Sequence, residues 1–346
     1  MASLAGVFTL MDAASQTDPD GKAAKIAEKL EQTNDMLKDA LWMPSNLPTN
    51  HKTTQRTGLP TVYKRRLNEG TLPSKATTAQ ITDGMTLLES RSHIDVKLAD
   101  ISTNPAELRF NEGIAFMEAM GQEAQRQFIY GNALLDDMEF NGLAPRMNDL
   151  DADNLDQVIS AGGTGGGSIY TSVYLVCWGA FKCYGLYPKG TQAGLQHHDL
   201  GKDLVADSTG IAGAQLLAYR DQWNWDLGLC LQDDRFAVRI CNISLTDLAG
   251  VTATQATTAS TFLLKLMMDA LDRVPSMGGV RPYFYCNRTV RSALRNLALR
   301  QGINLVGPSD AEGRPKLEVG GVSVRLCDQI VNTEAEVTAS TVSVGG

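Results

Sequence analysis

Histidine and aromatic residues are scarce in this chain of 346 residues: four histidines, and only 6 % Phe, Trp and Tyr together. Four histidines leave little material for acid–base or metal chemistry. The six cysteines (Cys177, Cys183, Cys230, Cys241, Cys286 and Cys327) include no Cys-x-x-Cys pair, so neither a zinc site nor a dithiol redox pair is indicated. They lie singly in apolar runs such as Tyr174-Leu175-Val176-Cys177-Trp178 and read as buried reduced thiols, which fits synthesis in a cytosol. No apolar run is long enough to span a membrane, and the apolar opening lacks a basic lead before Asp12, unlike a signal peptide. Gly-x-Ser-x-Gly, His-Glu-x-x-His and Walker motifs are absent. Basic residues are outnumbered, 31 to 39, for a net charge of −8, which argues against a protein whose main work is gripping phosphate backbones.

Apolar residues are missing from one stretch in particular. Residues 44–84 contain nine of them (Leu47, Leu59, Val62, Tyr63, Leu67, Leu72, Ala76, Ala79 and Ile81), 22 % against 43 % overall. Such a segment cannot offset an ordering cost of about 1–2 kcal/mol per residue. It is either a disordered linker or an arm whose partner surface lies outside its own chain. It is also basic: Lys52, Arg56, Lys64, Arg65, Arg66 and Lys75 against Glu69 and Asp83 give +4, leaving −12 for the rest.

What surrounds the segment is ordinary folding sequence, with 43 % apolar residues to build a core. Ala23, Ile26, Ala27, Leu30, Leu37 and Leu41 predict an amphipathic helix from the Thr17–Asp20 entrance to a stop before Pro44. Asn104-Pro105-Ala106-Glu107 has the makings of a helix cap, and Phe110, Ile114, Met117, Gly121, Ala124 and Phe128 continue that helix to Gly131, a rod of roughly 40 Å. Between them, alternating patterns broken at Gly58 and Gly70 predict a two-stranded arm with its tip near residues 68–73. Ile94, Val96 and Leu98 would root its second strand. Residues 132–157 are acidic around a lone Arg146. Strands follow at 169–178, 215–231 and 236–243, the last returning after a turn at 232–234. Trp223, Trp225, Leu227, Leu229 and Leu231 alternate, predicting one buried face. Then come a helix at 261–274, a strand at 281–286, a helix capped by Asn287 and two strand runs across Gly320-Gly321.

Candidate sites are weak. The glycine run 162–167 precedes a strand, where phosphate binding requires a helix, so it reads as a hairpin loop. Asp149-x-Asp151-x-Asp153 resembles the start of a calcium loop but has Asn154 where that loop needs Gly and Ser160 where it needs Glu. His197-His198-Asp199 points its histidines to opposite faces of a strand. Arg288, Arg291, Arg295 and Arg300 make a basic helix side without a helix-turn-helix. No catalytic, cofactor-binding or metal residue is assigned, and no cofactor is expected.

The order of elements carries more weight: a helix, a polar arm, one long helix, a mixed body and C-terminal strands. With the opening Met1-Ala2-Ser3-Leu4-Ala5, with Thr57-Gly58-Leu59-Pro60-Thr61-Val62-Tyr63, and with segments at 174–179, 186–190, 194–201 and 321–325, the chain resembles Hong Kong 97-like major capsid proteins of short-tailed, epsilon-fifteen-like bacteriophages along nearly its whole length. The resemblance implies an α+β fold with an N-arm at 1–43, an extended loop at 44–84, a peripheral domain at 85–150 and 316–346 with a spine helix at 104–131, and an axial domain at 151–315. It implies a non-enzymatic structural subunit that self-assembles into hexamers and pentamers of an icosahedral shell enclosing double-stranded DNA. The site would be the virion capsid, assembled in the host cytoplasm and matured from a procapsid. Its partners would be other copies of itself, with a cement or decoration protein, scaffold and portal as further candidates, packaged DNA by non-specific proximity, and no membrane.

On this reading the inter-subunit contacts run from Lys52, Arg56, Lys64, Arg65, Arg66 and Lys75 on one arm to a neighbour's spine helix and acidic strip, with Asp136, Asp137, Glu139, Asp149, Asp151 and Asp153. The arm would then be ordered only beside a neighbour. Two alternatives stand against it: an α/β enzyme with a dispersed site, and a nucleic-acid-binding protein using the basic arm.

Overall fold

The computed structural model describes residues 32–101, 104–150, 157–163, 169–206, 215–249, 253–301 and 316–339. Along them run α1 (Met36–Asp39), β1 (Trp42–Pro44), β2 (Asn50–Gly58), β3 (Thr77–Asp95), α2 (Val96–Ile101), α3 (Pro105–Tyr130) and α4 (Leu143–Arg146). Then follow β4 (Val158–Ser160), β5 (Tyr170–Trp178), β6 (Cys183–Tyr187), β7 (Gln196–Ala206), β8 (Gln215–Leu231) and β9 (Ala237–Ser244). The last third holds α5 (Leu245–Ala249), α6 (Ala253–Arg273), β10 (Arg281–Cys286), α7 (Arg288–Gln301), β11 (Glu318–Val319) and β12 (Val322–Leu326). Two compact units divide the chain: Leu87–Ala124 with Ala193–Leu227 in one, and the described parts of Thr33–Thr86, Gln125–Gln192 and Gly228–Gly346 in the other.

The larger unit is built outward from β5, all nine of whose residues are buried. Burial on both faces is why the strand reads as an unbroken apolar run. It pairs antiparallel with β10 on one side and β9 on the other; β12 adds parallel to β10, and β4 parallel to β9. Val173, Leu175 and Cys177 point to one face, where Leu263, Met267 and Ala270 of α6 and Val290 and Leu294 of α7 close the main core. Ser172, Tyr174 and Trp178 point to the other face, where polar atoms are met by specific partners, such as the Tyr285 hydroxyl that accepts from Trp178 Nε1 at 2.8 Å. Asn287 caps α7, its Oδ1 accepting from Val290 N at 3.0 Å, and Gly320 and Gly321 take φ of +59° and +80° in the β11–β12 turn.

In the smaller unit β7 pairs with β8 through a bulge after Asp199, where Gly201 takes φ +73°. Ile94, Ala99 and Leu108 form its small core beneath Tyr219. The N-terminal cap of α3 is as the sequence implies: Asn104 Oδ1 accepts from Glu107 N at 3.4 Å and its Nδ2 donates to Glu107 Oε2 at 3.2 Å.

Three expectations are corrected. The helix predicted before Pro44 falls outside the described residues up to 31, and from 32 onward it is not continuous. Asn34 bridges Cys327, α1 has only four residues, and β1 runs beside β6. Backbone pairing, with Asp35 N donating to Leu326 O and Gly185 N to Leu41 O, overrides the helical spacing there. Val96 and Leu98 belong to a helix, entered where Asp95 Oδ1 accepts from Lys97 N at 2.8 Å; both are nonetheless buried. β8 and β9 do not pair with each other: the end of β8 pairs with β6, while β9 pairs with β5 and β4, so residues 227–231 are buried on both faces.

Candidate inter-subunit surfaces

β2 and β3 form the arm, laddered from Asn50 opposite Gly84 to Gly58 opposite Thr77. Polar contacts tie it to the rest of the larger unit. His51 Nε2 meets the Tyr184 hydroxyl at 3.0 Å, and burial pulls that imidazole below its ordinary range although Asp83 pushes the other way. Gln55 Nε2 donates to Gln232 O at 2.5 Å, and the Thr86 hydroxyl to Met138 O at 2.8 Å. Arg146, the lone cation of the acidic stretch, donates to Asp83 Oδ1 at 2.7 Å and to Asn141 O at 3.0 Å. The expectation that all of 44–84 needs a neighbour is thereby narrowed, because the laddered root has partners in its own chain.

The tip differs. Residues 59–76 are all exposed and join no ladder among the described residues. They turn at Asn68, whose φ of +68° suits Asn. Val62 and Leu67 are 90 % and 93 % exposed, and Leu59 and Leu72 are nearly as open. Lys52, Arg56, Lys64, Arg65, Arg66 and Lys75 are exposed too, and none has an ion-pair partner among the described residues.

The described acidic residues have different surroundings. Asp136 and Asp137 lie exposed on a turn at 132–139; Glu139, on the same turn, is engaged by Arg126 and accepts from Asn132 N at 3.0 Å. Asp149 is half-buried and has a partner within the chain. Asp151 and Asp153 lie outside the described residues, as does most of the glycine run. The turn is closely braced: Asn132 O accepts from Leu135 N and Asp136 N, Asn141 Oδ1 from Ala133 N, and Gly131 O from Gly142 N at 2.8 Å. It displays Leu134, Leu135 and Met138 at 92 %, 87 % and 75 % exposure.

A constellation invisible in the sequence lies in the smaller unit. Arg109 Nη2 donates to Asp221 Oδ1 at 2.7 Å and meets Asp199 Oδ1 at 2.9 Å, and His197 Nε2 lies 3.0 Å from Asp221. Phe116 stacks on Trp223 at 4.9 Å, and Gly113 lets the helix approach that ring, since a Cβ there would stand 3.2 Å from it. Arg109 and Asp221 are 112 residues apart, so spacing could not have joined them. His197 and Asp199 are thus held by a structural ion network.

A family model described as major capsid protein GP7 matches residues 18–338. Among solved structures, a chain of bacteriophage Epsilon15 is 29 % identical over 98 % of this chain and 100 % of its own, with a TM-score of 0.77. The capsid of bacteriophage JBD30 is 13 % identical over 93 % and 99 %, with a TM-score of 0.49. No curated protein matches the sequence.

Proposed function

Because the chain belongs to the GP7 major capsid protein family and is therefore a structural subunit of a phage capsid shell, we propose that its basic arm tip is the element that joins one copy to the next. The fold is Hong Kong 97-like, and the protein's place is the virion capsid. The finer reading is that subunits gather into hexamers and pentamers around double-stranded DNA, assemble in the host cytoplasm and carry no catalytic site. The segments 1–43, 44–84, 85–150 with 316–346, and 151–315 act in it as N-arm, extended loop, peripheral and axial domains.

One observation carries the arm's role. Residues 59–76 expose both apolar side chains and unpaired cations, a combination that a lone chain has no reason to keep. Asp136 and Asp137 supply carboxylates of the opposite sign on the neighbour, with Asp149, Asp151 and Asp153 as further acidic groups; Glu139 is already held by Arg126. Opposite fields steer encounter and fix register more than they add affinity. An acidic remainder also keeps DNA from being trapped on the inner wall. Scaffold, portal and decoration proteins are further partners on this reading.

The test is expression of the full chain with Lys64→Glu and Arg66→Glu, followed by electron microscopy and gel filtration. Wild type should give closed particles or large rings and the double variant small species; particles at normal yield from the variant would sink the electrostatic part.

A further inference from the structure

Three large apolar side chains exposed within five residues, on a turn held by a dense set of hydrogen bonds, are not a loose loop that happens to be greasy. Leu134 and Leu135 have their amides engaged by Asn132, Met138 N donates to Asp136 Oδ1 at 3.0 Å, and Met138 O is taken by Thr86. The backbone is fixed while the side chains face solvent, which is the arrangement of a preorganised docking knob. We propose that Leu134, Leu135 and Met138 are the apolar seat for the arm tip of a second copy of this chain, receiving Val62, Tyr63 and Leu67, with Asp136 and Asp137 set against Lys64, Arg65 and Arg66.

The proposal rests on the arm's inter-subunit role given above and adds what holds it. The occupant is argued from composition and from distance. Both patches alternate large apolar residues with charges of one sign, acidic on the turn and basic on the tip. The tip of the same chain does not cover the seat: Leu67 and Leu134 are 93 % and 92 % exposed. Thr86, at the arm's root, touches the turn, whereas the ladder from Gly84 to Thr77 leads away for roughly 23 Å, at about 3.3 Å per residue, before the exposed tip begins. The seat thus lies beside the inner end of the ladder, and the tip begins beyond its outer end. Complementary patches at different places on one subunit make a head-to-tail contact, which closes into rings when the rotation allows. The apolar seat supplies residence time, and the aspartates supply rate and register.

The test uses the full chain. The six native cysteines are all buried, so introduced ones report alone. Leu135→Cys is paired in turn with Val62→Cys, Tyr63→Cys and Leu67→Cys, and particles are oxidised mildly and run on a non-reducing gel. At least one pair should give a ladder of covalent multimers. Particles that form but yield no ladder with any pair overturn the seat and leave the capsid role standing; particles at normal yield from Lys64→Glu with Arg66→Glu would overturn the electrostatic part of the arm's role instead. In parallel, Leu134→Ser with Leu135→Ser should keep the circular dichroism of the subunit and cut particle yield at least tenfold. Unchanged yield overturns the proposal, and if this variant fails to fold the disulfide ladder still decides.

Discussion

Arg239 and Glu334 form a buried ion pair, Nη2 to Oε2 at 2.9 Å, with 5 % of each side chain exposed. The carboxylate also accepts from the Tyr130 hydroxyl at 2.6 Å and from Ser172, while the guanidinium donates to Met147 O at 2.9 Å and to Ser172 Oγ at 3.0 Å. Strand β9, the end of the long helix and the C-terminal segment are thus joined on the polar face of β5. Removing one partner strands a buried charge, at a cost of about 3–5 kcal/mol. Glu334→Ala should lower unfolding stability by that amount in urea titration of the unassembled subunit, and Glu334→Gln, which keeps hydrogen-bonding atoms, by less. A loss below about 1 kcal/mol would mean that the pair is solvated.

Much of this fold could be read from the chain because its elements carry their own signals. The limits of β8 and β10 and the Asn104 cap follow from alternation and local capping chemistry. What escaped was set by long-range partners. Arg146 looked like a stray cation among acids until Asp83, 63 residues earlier, came to it. The apolar turn at 132–139 was hidden because the order Leu134-Leu135-Asp136-Asp137-Met138 does not itself say which side chains face solvent. Only their exposure makes them a surface, and exposure is not local information. The arm was legible by contrast, since its poverty in apolar residues is a property of the segment itself.

The six cysteines should be chemically silent in the folded subunit. Burial raises Cys177, Cys230, Cys286 and Cys327 to about 12 and Cys241 to about 11, and pushes Cys183 well up. At pH 8 a thiol at about 12 is ionised to roughly one part in ten thousand, and the thiolate is the reactive form. A chromogenic disulfide reagent should therefore register no thiol at pH 8 until denaturant is added, and six afterwards. Prompt reaction of even one thiol in native protein would contradict the burial.

The β7–β8 ladder should weaken in acid. Asp199 is held below its ordinary range first by the Gly201 amide and then by Arg109, and Asp203 by Arg220 and the Leu204 amide. A carboxyl with a depressed folded value contributes stability above its unfolded value, about 3.9, and loses it as pH falls through the folded one. The unfolding midpoint should fall below about pH 4. Asp199→Asn with Asp203→Asn should flatten that slope by lowering the midpoint at pH 7 toward its acid value, so that the variant and the wild type converge in acid. An equally steep acid limb in the double variant would place the sensitivity elsewhere.

Gly142 tests whether the apolar turn must be rigid. A Cβ there would stand 2.5 Å from Gln127 O and 2.8 Å from Ile129 O, both backbone atoms that cannot swing aside. The contact is tight because the chain returns against the end of the long helix, Gly142 N donating to Gly131 O at 2.8 Å. Gly142→Ala must therefore shift the turn, at a cost of about 1–3 kcal/mol of overpacking. The loss should be readable in urea titration. Leu134, Leu135 and Met138 keep their chemistry in this variant but lose their fixed spacing. If preorganisation is what lets them receive an arm, particle yield should fall with the turn displaced although no contacting residue has changed. If yield holds at wild-type level while stability drops, the turn adapts on docking and its bracing serves only the subunit's own fold.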